Sequence, residues 1–191
     1  MSKEAEWVAH IKRKLVNDLR DCDTDSSQIH IESGIRLSYT NEILQYEKDL
    51  PSSTQMKYQT DLLVYEQSTD GKVWIPRIVI EAKFDSVTTH DALAYSSKAA
   101  THKQVHPYLR YGIIIGSYGD YSLPPRLVRH GAYFDFMMVF SEFEPTHEEW
   151  GDFLNVLKHE IEGSKKLQGL LTDRSKSKIK YKFLHRPLDF K

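Results

Sequence analysis

Val8, Ile11, Leu15 and Leu19 recur at helical spacing and predict an amphipathic helix over residues 3–20. Ser2 is placed to cap it, with Glu4 and Glu6 near its positive end. Glu4 stands one turn before Val8 and shares the inward face; Glu6 does not. Residues 21–27 are a polar run whose acids at 21, 23 and 25 resemble a calcium loop. The required glycine and distal glutamate are missing, so the run reads as a surface turn. Ile29, Ile31, Ile35, Leu37 and Tyr39 alternate with polar positions and predict a strand over 28–39, broken at Gly34. Residues 41–48 fit strand or helix equally, and 51–55 read as a loop.

Residues 58–66 predict a strand, Ser68-Thr69-Asp70-Gly71 a turn, and 72–84 the returning strand of a hairpin. Pro76 cannot donate to a ladder, so a bulge or bend is expected there. Residues 85–105 predict a helix that packs Ala92, Tyr95, Ala99 and Ala100 on a sheet and stops at Pro107. Residues 111–117 form a short apolar run bounded by glycines, which suits a doubly buried central strand. A short helix over 123–130 and a strand over 133–140 follow. Thr146, with Glu149 three residues on, opens a last helix running to about 157–162. A helix between the hairpin and the next strand implies a crossover. The fold class is therefore α/β, a mixed central sheet flanked by helices on both faces.

Length and composition add little: 191 residues, 40% hydrophobic and 28% charged, fit one domain with a real core. Cys22 is the only cysteine, so no intramolecular disulfide forms. No apolar run of ~18 residues and no signal-peptide pattern occurs, so a cytoplasmic protein without a membrane partner is expected. Charge changes the picture more. Residues 164–191 hold nine Lys or Arg against two acids, a net +7, which leaves −8 on residues 1–163. A basic end on an acidic body suits a polyanion partner or a solvated tail. Lys176, Lys178, Lys180 and Lys182 alternate with Ser177, Ile179 and Tyr181. In a strand they form a lysine ribbon, which could follow a duplex backbone or guard a sheet edge.

The candidate chemistry lies in Thr60-Asp61-Leu62-Leu63-Val64 and Ile78-Val79-Ile80-Glu81-Ala82-Lys83. Glu81 and Lys83 share one face of their strand. Asp61 and Glu81 fall on the two arms of one hairpin, and neighbouring strands lie about 4.8 Å apart, close enough for two carboxylates to share a cation. Few hard oxygen ligands, with room for water and phosphate, suit magnesium. Lys83 would orient or deprotonate an attacking water, or stabilise charge on phosphorus.

Asp61 followed by Glu81-Ala82-Lys83 resembles the PD-(D/E)xK nuclease superfamily, the restriction-endonuclease-like fold, over residues 1–140. Thr60 replaces that family's usual proline. The resemblance implies Asp61, Glu81 and Lys83 as catalytic residues. It implies Asp61, Glu81 and the Ala82 carbonyl as ligands of Mg2+, with Mn2+ as its substitute, and Glu4 as a further ligand from the first helix. Residues 1–163 would be the nuclease core and 164–191 a basic C-terminal extension. The function implied is a magnesium-dependent DNA endonuclease of type II restriction-like character, acting on double-stranded DNA as a homodimer, since cutting two strands takes two sites.

Gln104-Val105-His106-Pro107-Tyr108 resembles the Q-x-x-x-Y element of RecB-like members, with Pro107 as a departure. A RecB-like exonuclease or repair or defence nuclease is thus an alternative, and a non-catalytic nucleic-acid-binding module of the same fold is another. Lys98, Lys103 and Gln104 join the four tail lysines as candidate nucleic-acid contacts; the two lysines also fit a polar helix face, which is the preferred reading of His102, and Gln104 equally fits an exposed helix end. The nine histidines show no zinc spacing and read as surface or packing residues.

Overall fold

The structure is a computed structural model that describes residues 2–24, 26–119 and 122–172. In chain order its elements are α1 (Lys3–Asp18), β1 (Ser27–Glu32), β2 (Arg36–Glu47), β3 (Leu50–Gln59), β4 (Leu62–Ser68) and β5 (Trp74–Phe84). There follow α2 (Thr89–Val105), β6 (Arg110–Gly116), α3 (Pro125–His130), β7 (Phe136–Val139) and α4 (His147–Thr172). Five strands make one sheet in the order β1-β4-β5-β6-β7. The pairs β1–β4 and β4–β5 are antiparallel, whereas β5–β6 and β6–β7 are parallel. The expected mixed sheet is present, with helices on both faces. Ile78, Ile80, Ala82 and Ile114 pack with α1 and α4, and Val79, Ile113 and Ile115 pack with α2 and α3.

The α1 stripe is headed by Trp7, not Val8: Trp7, Ile11 and Leu15 are fully buried. The Trp7 ring occupies the space a Gly116 side chain would need, and Phe136 does the same at Gly112. The two glycines bounding the central apolar strand thus admit aromatic rings from each neighbouring element. Ser2 caps α1 as expected, its hydroxyl accepting from the Ala5 N–H. In the acidic loop the Asp23 carboxylate accepts from the Ile29 N–H of β1 at 2.7 Å, which ties the loop to that strand.

Between Gly34 and Leu62 one open choice is decided and two expectations need correction. Residues 41–47 are strand, with Lys48 in the turn that follows, and 51–55 are strand rather than loop, because β2 and β3 form a separate two-stranded arm. All of residues 41–57 are exposed, so neither face of the arm carries the alternation that marks a half-buried strand. The predicted strand over 58–66 is two elements that part at Thr60-Asp61, where the chain leaves the arm and enters the main sheet. Thr60 is buried and fixes that junction. Its N–H and hydroxyl both donate to the Ile35 carbonyl, and its own carbonyl accepts from the Gly34 N–H.

The bulge expected at Pro76 is there: Val64 opposes Ile78 and Tyr65 opposes Pro76, which leaves Arg77 as the extra residue. Arg77 is buried, donates twice to Glu66 Oε2 at 2.9 and 2.6 Å, and reaches Ser164 on α4. Lys165 pairs with the other Glu66 oxygen at 3.0 Å. Burial alone would raise the Glu66 carboxyl, but bonds from Ser27, Arg77 and Lys165 hold it below the usual range. The helix opened by Thr146 and Glu149 runs unbroken across 163/164 to Thr172. Lys165 and Lys166 therefore belong to α4, while Lys176, Lys178, Lys180 and Lys182 lie outside the described residues. Among the described residues no helix is long and apolar enough to cross a membrane.

Candidate active site

Asp61 sits at the bend just before β4, where Leu62 pairs with Ile80 of β5. Its Oδ2 accepts from the Ala82 N–H at 2.9 Å, which clamps the bend to β5 beside Glu81. Glu81 is 1% exposed, on the sheet face covered by α2. The Tyr111 hydroxyl of β6 donates to Glu81 Oε1 at 2.5 Å, and Lys98 Nζ of α2 lies 3.8 Å from the same oxygen. Burial and the adjacent Asp61 carboxyl push Glu81 up to about 7, while Lys98 and Tyr111 oppose the rise. Tyr111 in turn is driven well up by burial and by Glu81.

Lys83 Nζ lies 3.4 Å from Glu4, 3.9 Å from Asp91 and 5.3 Å from the centre of the Tyr95 ring. Burial would lower this ammonium, but the Tyr95 hydroxyl, Glu4 and Asp91 outweigh it and hold Lys83 above the ordinary lysine range. It is therefore a permanent positive charge at neutral pH. Glu4 reaches the lysine rather than the paired carboxylates. Among the described residues no three His, Cys, Asp or Glu side chains gather as a metal cage. Asp61 and Glu81 supply two side chains only.

The other predicted contacts divide. Lys98 belongs to the site and also lies over the rings of Tyr95 (4.8 Å) and Tyr58 (5.6 Å). Lys103 is a structural group: it donates to the Tyr133 carbonyl at 2.6 Å and to fully buried Asp135 at 2.7 Å. Asp135 also accepts from the Tyr111 N–H, so this pair holds the strand that carries Tyr111. Gln104 is exposed in the last turn of α2, roughly 9 Å along the axis from Lys98 at 1.5 Å per residue. His102 does not lie on a polar face. It is fully buried, with Nε2 against the Leu37 carbonyl at 3.2 Å and its ring against Tyr39, Tyr58 and Tyr111. Burial depresses it to about 4.

Tyr95, Asp91 and Tyr111 are site residues that pattern reasoning missed. A signal existed: Asp91, Tyr95, Lys98 and His102 recur at i, i+4, i+7 and i+11, one polar stripe on α2 facing the sheet. Tyr111 had none, because a tyrosine in an apolar run reads as core. Thr88 caps α2, and Asp91 closes a capping box with it while facing Lys83. No protein-family model matches this chain, and no curated protein matches it.

Proposed function

We propose that this chain is a magnesium-dependent DNA endonuclease of the restriction-endonuclease-like, PD-(D/E)xK kind, hydrolysing phosphodiester bonds with Asp61, Glu81 and Lys83. One observation carries the reading. A hairpin brings two carboxylates together beside a lysine two residues beyond the second, and Lys98 at 3.8 Å, with the Tyr111 hydroxyl, offsets their repulsion only in part. Structural ion pairs match acid to base; here acid meets acid near the C-terminal end of β5, the strand at which the mixed sheet changes from antiparallel to parallel pairing. The donor set fits Mg2+ or Mn2+: two hard carboxylates with the carbonyl of Ala82, the residue after Glu81, and the remaining positions left to water and phosphate. Bound there, the ion would supply charge stabilisation to the phosphate and the leaving oxygen.

The chain's own groups do the rest. Asp61 is held rigid by the Ala82 N–H. Tyr111 fixes the Glu81 rotamer. Lys83, permanently protonated, orients the attacking water and faces the charge growing on phosphorus; it does not act as a base. Lys98 sits where it can pass from Glu81 to a substrate phosphate. Water attacks phosphorus as the bond to the leaving sugar oxygen breaks, the attacking water giving up its proton to solvent and the leaving oxygen taking one from solvent. Gln104, away from this cluster, lends the RecB-like alternative no contact.

The test is cleavage of supercoiled, linear and single-stranded DNA with and without magnesium by the wild type and by Asp61→Ala, Glu81→Ala and Lys83→Ala. Magnesium-dependent nicking of closed circles, lost in each variant with folding intact, is expected. Unaltered cutting by any variant refutes the assignment. Magnesium-independent DNA binding with no cutting would leave a non-catalytic module of this fold.

A further inference from the structure

Among the described residues Lys48, Asp49, Asp85 and Ser117 are the non-glycine residues that hold a left-handed φ. Lys48 and Asp49 form the turn of the β2–β3 arm, where a type I′ hairpin requires that conformation. Asp85 (φ 64) and Ser117 (φ 54) belong to no hairpin. Each follows the last residue of a strand, and those last residues, Phe84 of β5 and Gly116 of β6, are partners in the parallel register. The two left-handed residues therefore stand side by side at the carboxyl ends of two central strands. A serine has no intrinsic preference for this backbone, and such strain persists where its surroundings impose it, typically at ligand-binding or reactive sites.

The surroundings here do impose it. The Ser86 N–H donates to the Phe84 carbonyl at 2.8 Å and closes a three-residue turn on Asp85, of the rarer and more strained hand. The Asp85 N–H donates to the Gly116 carbonyl at 2.9 Å. The Tyr118 and Gly119 N–H groups donate to the Phe140 and Ser141 carbonyls, both at 2.9 Å. These bonds pin the backbone around a cavity of about 500 Å³ lined by Asp85, Ser86, Ser117, Tyr118 and Gly119. That volume lies within the range of small-ligand pockets.

The lining and its flanks define the occupant. Among the described residues the Asp85 carboxylate and the Ser86 and Ser117 hydroxyls make no hydrogen bond or ion pair, and half-buried Tyr118 adds an aromatic side chain. Cations flank the cavity along the chain. Lys83 stands two residues before Asp85, and Arg126 donates to the carbonyl of Val87, the residue after Ser86, at 3.1 Å. A metal ion is a poor occupant, because Asp85 is the single acid in the lining. A nucleotide fits: cations for the phosphates, hydroxyls for the sugar and an aromatic ring for the base. A carboxylate accepts hydrogen bonds and donates none. It therefore favours the amino group that adenine and cytosine carry at the position where thymine carries a carbonyl.

We propose that this cavity takes one nucleoside of the bound strand, next to the phosphate at Lys83, with the amino group of an adenine or cytosine on the Asp85 carboxylate. Arg126 meets the neighbouring phosphate. The inference rests on the nucleic-acid substrate of the proposed function and not on cleavage.

Fluorescence anisotropy of labelled ten-nucleotide strands of deoxyadenosine, deoxycytidine or thymidine, in calcium and again in EDTA, tests it. The wild type should bind the first two at least about tenfold more tightly than the third. Asp85→Asn keeps the shape and adds a donor for the thymine carbonyl, so the three affinities should come within about twofold of each other. Arg126→Gln should weaken all three alike and lower the slope of log affinity against log salt by about one. Ser117→Gly should leave the urea midpoint no lower, because glycine adopts this φ freely, and should weaken all three strands at least about threefold by loss of the hydroxyl. A wild type that binds no strand in either buffer, or all three alike, overturns the inference. So does discrimination that survives Asp85→Asn, or an unchanged affinity in Ser117→Gly. Discrimination by a protein that cuts no DNA leaves the inference standing and removes the catalytic reading alone; cleavage without discrimination does the reverse.

Discussion

Replacing Glu81 by glutamine should stabilise the metal-free protein while abolishing its proposed activity. The ordinary carboxyl pKa of 4.5 is raised to about 7 in the fold. At about 1.4 kcal/mol per pKa unit, holding Glu81 ionised costs the native state on the order of 3 kcal/mol. The sign follows from proton counts. Below pH 4.5 both states carry the proton and no cost exists. Between 4.5 and about 7 the native state keeps a proton that the unfolded chain has lost, so stability falls as pH rises. Above 7 the full cost is present. Glutamine keeps the oxygen that accepts from Tyr111 and offers Asp61 an N–H in place of a repelling carboxylate. It forfeits the Lys98 contact at 3.8 Å, which trims the gain to about 1–3 kcal/mol. Urea unfolding in EDTA at pH 8 should therefore show a raised midpoint for Glu81→Gln with an unchanged slope. The gain should shrink towards zero by pH 4.5. Added magnesium should then raise the wild-type midpoint and leave the variant where it was. A variant less stable than wild type at pH 8, or a gain equal at pH 8 and pH 4.5, would refute the claim that two carboxyl groups oppose each other here.

His102 should give the opposite pH dependence. Its pKa falls from 6.5 to about 4, so its contribution is intact above 6.5 and lost as pH drops towards 4; His102→Asn should flatten the acid limb of urea midpoints measured against pH. Gly116→Ala puts a methyl about 2.3 Å from the Trp7 ring and should cost about 1–3 kcal/mol in chemical denaturation, with Trp7 emission altered. Lys103→Met leaves Asp135 with Arg110 at 3.5 Å and should lower stability by about 1–3 kcal/mol while DNA affinity, by titration, stays unchanged.

The sequence by itself determined the parts whose signal is local. Helix caps at Ser2 and Thr146, the bulge forced by Pro76, the Asp70-Gly71 turn and the glycine-bounded apolar strand all depend on residues within a few positions of each other. Asp61, Glu81 and Lys83 could be picked out for the same reason: alternation fixes which side chains share a face of a strand, and a short hairpin fixes which strand comes next. The tertiary structure decided what depends on partners far along the chain. That Trp7 rather than Val8 leads α1 follows from the space Gly116 leaves 109 residues later. The arm was invisible because exposure on both faces erases periodicity. Lys98 and Lys103, five residues apart on one helix, look alike in sequence, yet one meets Glu81 and the other Asp135. Charge alone says that a lysine needs a partner, and only the fold says which one it finds.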